Sequence, residues 1–327
     1  VVTPRILIVK TSSMGDVIHA LPLVSDIAAA QPELAIDWVV EEGFADLPRL
    51  HPQVARVVPV ALRRWRRAWM RADTWRELRA ARAALREQPY HAVIDCQGLL
   101  KSAWVARWAR GPVVGLDAAS AREPLAARLY ARRVVVPRAL HAVERNRLIG
   151  AGALGYAVQG APRFGLHVPP QSQPALAAFA DAGPFAVLLT NASRPTKRWP
   201  DDRWQAVALS LSAQGLRVLL FWGSAEEEAD TQRRAAGMAD AVVAPRCTLP
   251  QVAAALASAR VVIGLDTGLS HLAAAVGTPA VGIYCDYDPR LVGLVGDAPS
   301  ISLGGVDAMP TVDGVLAAAA RVMAGGE

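Results

Sequence analysis

Arg260-Val-Val-Ile-Gly264-Leu-Asp266-Thr267-Gly268-Leu-Ser270-His271, running on into Leu-Ala-Ala-Ala, is the stretch that decides the fold. Val261, Val262 and Ile263 read as a buried strand, and Gly264 as its end. Asp266 and Thr267 are favoured helix N-cap types, and the Ala-rich segment behind them suits a helix. The unit is therefore strand–loop–helix, and its loop carries a carboxylate, hydroxyls, a glycine and an imidazole. Unpaired backbone N–H groups at such a helix start attract phosphate. Gly268 admits a ligand close to the backbone. Asp266 can accept hydrogen bonds from a sugar hydroxyl, and His271 lies one turn on. A capped helix with a core histidine would use the same residues, so the rest of the chain has to decide between the two.

Working outward, the same pattern repeats. Arg5 to Lys10 reads as a strand, with Ile6 to Val9 as its apolar run, followed by the loop Thr11-Ser12-Ser13-Met14-Gly15-Asp16 and a helix from Val17 to about Ala30 with Pro22 inside it. Strands follow at Ile36–Val40, Val54–Val60 and Val93–Cys96. After a Gly-, Pro- and Gln-rich linker between about Ala157 and Pro174, a second series begins, with strands at Phe185–Leu189, Val218–Phe221, Ala241–Val243, Val261–Ile263 and Ala280–Tyr284. The tail from Val312 to Met323 is an apolar-faced helix. Such βα alternation predicts an α/β fold with mostly parallel sheets, whose ligands sit beyond the C-terminal strand ends. The chain lacks GxGxxG after its first strand and has no GxxxxGK[ST], which excludes the usual dinucleotide and P-loop chemistries.

At 327 residues there is chain for two domains, expected at 1–165 and 166–311, with a terminal helix beyond them. No apolar run is long enough to span a bilayer, and the first residues have no signal-peptide layout. Cys96, Cys247 and Cys285 are far apart and form no CxxC, so a reduced, cytosolic setting with no zinc site is expected. The net charge of +6 is unevenly spread: residues 1–165 hold 24 Lys+Arg against 14 Asp+Glu, and residues 166–327 hold 11 against 15. The first half is expected to meet an anionic partner.

Several loops carry chemistry. Asp16 sits near a helix start, where the dipole favours its ionised form and so its use as a base, although capping is the commoner role for such an Asp. Arg63-Arg64-Trp65-Arg66-Arg67-Ala-Trp69-Met70-Arg71 carries five arginines and no acid. Guanidinium forks suit phosphate and carboxylate, and the tryptophans suit a sugar face, a base or a membrane interface; a solvated helix face is the bland alternative. Asn191 to Pro200 offers hydroxyls, backbone N–H groups and Lys197 at the edge where a diphosphate would lie. Glu226, Glu227 and Glu228 open an acidic helix, one of them able to clamp a ribose. Together the loops describe a nucleotide-sugar pocket better than any does alone.

These residues carry a likeness. Ile8-Val-Lys10-Thr-Ser-Ser-Met-Gly-Asp16-Val, Asp37-Trp-Val-Val-Glu-Glu-Gly-Phe44, Arg63 to Trp69, Asp95 to Ser102, Ala121-Arg-Glu-Pro-Leu-Ala126, His141-Ala-Val-Glu-Arg145, Lys197 to Pro200 and Asp266 to His271 resemble the bacterial lipopolysaccharide heptosyltransferases, above all the heptosyltransferase I branch. The resemblance implies a GT-B glycosyltransferase, with two Rossmann-like domains facing a central cleft, acceptor on the first and donor on the second, the C-terminal helix (about 312–327) returning to the first. It implies inverting transfer of L-glycero-D-manno-heptose from ADP-L-glycero-β-D-manno-heptose to the inner Kdo of Kdo2-lipid A. Carried over by position, Asp16 is the general base. Ala192 (through its backbone only), Ser193, Lys197, Glu227, Cys247, Asp266, Thr267, Gly268 and His271 hold the donor. Arg63, Arg64, Arg66, Arg67, Lys101, Arg122, His141 and Arg145 meet the acceptor. No DxD motif is placed for a metal, so no metal is expected to be obligatory, with Mg²⁺ at most a stimulant. A monomer on the cytoplasmic face of the inner membrane, without nucleic acid, is expected. Two rivals remain: a heptosyltransferase acting on an already heptosylated core, and a non-catalytic protein binding an anionic polymer or membrane.

Overall fold

The structure, a computed structural model, describes residues 3–325; Val1, Val2 and the last two residues of the expected C-terminal helix, Gly326 and Glu327, lie outside the described residues. The chain divides into two compact units, Val1–Gly165 and Leu166–Glu327. In the first, β1 (Arg5–Val9), β2 (Ala35–Glu41), β3 (Val54–Val60), β4 (Ala92–Asp95), β5 (Val113–Leu116) and β6 (Arg132–Val134) form one sheet in the order β3-β2-β1-β4-β5-β6. In the second, β7 (Phe185–Leu189), β8 (Arg217–Leu220), β9 (Ala241–Val243), β10 (Val261–Leu265), β11 (Ala280–Tyr284) and β12 (Ser300–Gly304) form another in the order β12-β11-β10-β7-β8-β9. Read from each unit's own first strand, the two orders are the same, the doubly wound order of a Rossmann sheet.

Every neighbouring pair is parallel. Helices therefore cover both faces, and the central strands are apolar on both sides: Ile6 to Val9, Phe185 to Leu189 and Val261 to Leu265 are buried throughout. In each sheet the order reverses between two neighbours, β1 and β4 in the first and β7 and β10 in the second. A crevice opens at that point beyond the C-terminal strand ends. It places Lys10–Asp16 beside Cys96–Leu99, and Thr190–Trp199 beside Asp266–Thr267.

Four expectations need correction. The helix after β1 is two helices, Met14–Ile18 and Leu21–Ala30, broken at His19-Ala20; Pro22 falls at the second helical position of the latter, where no N–H is missed. Gly264 does not end its strand, because β10 continues to Leu265. A Cβ there would run into Ser270 Oγ and come within 2.8 Å of Leu189 Cβ, so glycine is what lets β10 lie close to β7 and to the following helix. The short outer strands β5, β6 and β12 were not expected. The C-terminal helix, Val312–Met323, belongs to the second unit. Val315, Ala318, Ala319 and Val322 bury its apolar face in that unit's core, against helix Asp201–Ala213 and strands β10 to β12. Its sequence provides one apolar stripe, and the second sheet covers it.

Candidate active site

In the second unit the centre is the turn after β10. Helix Gly268–Ala275 starts there with Thr267 at the N-cap position, but the Thr267 side chain makes no capping bond. The turn is closed by Ser270, whose Oγ donates to Leu265 O at 2.6 Å. The first N–H groups of the helix are thus left unclaimed by a cap. Asp266 is drawn sideways. Lys197, from the loop after β7, bonds its carboxylate and also reaches its backbone O at 3.2 Å. His271 Nε2 lies 3.5 Å from the other carboxylate oxygen. Burial pushes the Asp266 carboxyl up, but His271 and Lys197 outweigh burial and hold it below the usual carboxylate range. Lys197, Asp266, Thr267, Gly268 and His271 are therefore one cluster at a helix start, where a phosphate would find N–H groups and an ammonium.

The other expected donor residues lie on neighbouring loops. Ala192 is packed into the unit's core, so only its backbone faces the loop. Ser193 is exposed. Glu227 sits in the first turn of helix Ala225–Ala235, its Oε2 accepting the Gly223 N–H at 2.7 Å. Cys247 is half-buried, its thiol raised above the ordinary range by burial and 3.1 Å from Pro245 O. Trp222 Nε1 donates to Ala244 O at 2.7 Å and so joins the loops that carry Glu227 and Cys247.

In the first unit Asp16 caps its own helix. Its Oδ2 accepts both the Ser13 N–H and the Ser13 hydroxyl at 2.8 Å, and Oδ1 has no partner among the described residues. Burial raises its pKa, but Lys10, the Ser13 bonds and Arg122 prevail and the carboxyl is held below the ordinary value. Lys101 Nζ is 3.5 Å from Ser12 Oγ, on the same loop. His141 caps helix Ala142–Leu154 through Nδ1 and packs edge-on to His19 at 5.7 Å. Arg145 donates to Ser120 O at 2.7 Å while its Nε is buried without a partner. Arg64 is taken up by Glu42 and Glu77, acids from outside the arginine run. Arg63, Arg66 and Arg67 are exposed on the same short helix, Leu62–Arg67.

A glycosyltransferase family 9 (heptosyltransferase) profile matches residues 78–315. The chain belongs to that family. Over 297 residues it is 45% identical to lipopolysaccharide heptosyltransferase 1 of Escherichia coli (strain K12), covering 88% of this chain and 90% of that protein. It superposes on E. coli heptosyltransferase WaaC with ADP at a TM-score of 0.84 and 41% identity, over 96% of this chain and 98% of that one. With WaaC carrying ADP-2-deoxy-2-fluoro heptose the values are 0.82 and 40%, over the same shares. The fold is GT-B, and the chain is a heptosyltransferase of lipopolysaccharide biosynthesis.

The heptosyltransferase also uses residues the sequence reading passed over. Gln97 spans the first crevice: Oε1 accepts the Thr11 N–H and hydroxyl at 2.9 and 2.7 Å, and Nε2 donates to Ser12 O at 2.7 Å. The fully buried Asp95 fixes it in turn by accepting its backbone N–H at 2.9 Å. Lys10 is buried across the same crevice, bonded to Cys96 O and Asn146 Oδ1 at 3.0 and 3.3 Å. In the second unit Asn191 ties β7's loop to Phe221 O and Thr231, and Asp286, after β11, accepts from the Thr196 hydroxyl of the same loop at 2.6 Å. Gln97 and Asn191 each stand two residues past a strand end, Gln97 inside the resembling stretch Asp95 to Ser102 and Asn191 at the head of the loop that runs to Pro200, but neither was given a role there.

Proposed function

We propose that this heptosyltransferase moves L-glycero-D-manno-heptose from ADP-L-glycero-β-D-manno-heptose to the inner Kdo of Kdo2-lipid A, with inversion at the anomeric carbon. The observation that carries the reading is the cluster of Lys197, Asp266 and His271 at the start of helix Gly268–Ala275. The ADP and ADP-heptose analogue held by relatives at 40–41% identity support the donor. Lys197 and the N–H groups of the helix start would neutralise the departing diphosphate, Asp266 and His271 would hold the heptose, and Glu227 and Cys247 the nucleoside side.

Asp16 acts as general base. It is ionised, and Ser13 occupies only one of its oxygens, so Oδ1 is open to the proton of the acceptor hydroxyl. As that proton moves, the hydroxyl oxygen attacks the anomeric carbon and the bond to the diphosphate oxygen breaks. One displacement gives inversion. A carboxyl with a low pKa is a weak base at rest, so proton transfer belongs in the transition state, when the oxygen has become acidic. Arg63, Arg66, Arg67, Lys101 and Arg122 suit the carboxylates and phosphates of the acceptor, and Arg64 does so only by sharing itself with Glu42 and Glu77. No metal is needed in this scheme. Among the described residues no helix is long and apolar enough to cross a membrane; the reading places a monomer at the cytoplasmic face of the inner membrane, held peripherally.

The test is transfer from ADP-heptose to Kdo2-lipid A, followed by product mass. One added heptose with wild type, none with Asp16→Ala, and activity that survives a chelator are expected. Product only with an already heptosylated acceptor would move the enzyme to a later step of the core.

A further inference from the structure

Residues 62–86 hold nine arginines and three tryptophans against two carboxylates. The reaction scheme uses a few of those arginines and none of the tryptophans. Helix Leu62–Arg67 and helix Ala72–Arg86, with Trp104 from helix Leu100–Ala106, enclose an apolar groove of about 220 Å³ lined by Leu62, Trp65, Trp69, Trp75, Leu78 and Trp104. Its floor is fixed: Trp65 is buried with Nε1 on Glu77 at 2.6 Å, and Thr74 bonds Ala68 O at 2.8 Å. Its rim is exposed. Trp69 is 62% accessible, Trp75 50% and Trp104 52%, with Met70 beside them at 79%. Four large apolar side chains around one hollow are more than a soluble surface ordinarily leaves open.

Charge decides what covers it. Arg79 and Arg82, which the reaction scheme does not use, are exposed and make no ion pair among the described residues. The partner is therefore anionic as well as apolar. Tryptophan at the rim with arginine outside it is the layering of the water–hydrocarbon boundary of a bilayer, where indole rings lie at headgroup depth and cations meet lipid phosphates. A nucleic acid would use the arginines but leave a hydrocarbon-lined hollow with little to hold.

We propose that this groove is a docking surface for an anionic phospholipid bilayer, with Trp69, Trp75 and Trp104 entering the interface and the unpaired arginines meeting headgroup phosphates. It deepens the peripheral-membrane reading above and rests on it. The experiment uses the full chain with phosphatidylglycerol vesicles, phosphatidylcholine vesicles and a single-stranded oligonucleotide. It compares wild type with Trp75→Ala/Trp104→Ala, whose correct folding is checked by thermal unfolding. Wild type should sediment with phosphatidylglycerol and not with phosphatidylcholine, and brominated acyl chains should quench its tryptophan emission. The double variant should lose tenfold or more in vesicle affinity while transferring heptose to an acyl-free Kdo acceptor at the wild-type rate. That soluble assay reports on the transfer reaction alone, so a failed reaction and a failed docking surface are read separately. The proposal is overturned by equal vesicle binding of the two proteins, by wild type ignoring phosphatidylglycerol, or by loss of oligonucleotide binding alone. A raised KM for the acylated acceptor with unchanged vesicle binding also overturns it, and gives the groove to the substrate's own acyl chains.

Discussion

Asp16 and Asp266 are both held below the usual carboxylate pKa, but by different means and with different consequences. Asp16 is set by its own helix turn and by Lys10, so its substitution should leave the donor site alone: Asp16→Ala should lower kcat by about 10²–10⁴-fold with the Kd for ADP unchanged. Because its pKa is depressed, the acid limb of kcat/KM should fall only below about 3.9, the ordinary value, as far as the protein survives. A limb near neutrality would remove Asp16 as the base. Asp266 contributes stability, and its depressed pKa fixes the sign. The contribution is present above the unfolded carboxylate pKa and is lost as pH falls through the lower folded value. Urea unfolding should therefore show Asp266→Asn weaker than wild type at pH 7, with the gap closing towards pH 3. Lys197 pairs with Asp266 in the structure described here, and in the proposed scheme it also meets the diphosphate. Lys197→Ala should weaken ADP binding about 10- to 100-fold, the range of one charge-assisted hydrogen bond. Calorimetry with ADP alone decides this, and an unchanged Kd would remove the lysine from the donor site.

At the scale of elements, strands with β-branched runs bounded by polar or glycine residues were legible: Phe185–Leu189, Ala241–Val243 and Ala280–Tyr284 fall where the sequence put them. The strands it missed lie towards the outside of the sheets. Arg132-Arg-Val134 carries charge at two of its three residues because it is an edge strand, and Ser300-Ile-Ser-Leu-Gly304 alternates for the same reason. The loops carrying Asp16, Lys197 and Asp266 were legible from their residue types. Gln97 and Lys10 were not, since each acts across a crevice between strands distant in sequence, and Asn191 was not, since its partners lie past the end of β8 and in the helix behind it. Gln97 shows the cost of that blindness, because three bonds from one side chain set the loop before Asp16. Gln97→Ala should lower kcat with little change in ADP affinity, and equal loss in both would mean general unfolding instead. Gly264 was read as punctuation and is in fact a site of close packing. Gly264→Ala should destabilise the protein by about 1–3 kcal/mol, read by chemical denaturation, because Ser270 and Leu189 leave no room for a methyl group.

Across the whole molecule, charge and chemistry are divided between the units. The excess of arginine lies in residues 1–165 and the excess of carboxylate in residues 166–327. Salt should therefore raise the KM for the proposed anionic lipid acceptor more steeply than the KM for ADP-heptose, whose phosphates would meet a partly buried lysine and a helix start in the proposed scheme. Initial rates at 50 and 300 mM salt, with each substrate varied in turn, make the comparison. Strand pairing is divided in the same way: no described pair joins β1–β6 to β7–β12. That division has a consequence for the ribosome. All partners of the first sheet have been synthesised by Val134, and its unit is complete by Gly165, whereas the second sheet waits for Gly304. At roughly 5–20 residues per second the completed first unit has about 7–28 s to close before the second sheet's last strand is finished. The nascent chain can thus hide its first core during translation, and never needs to hold two unfinished sheets exposed together.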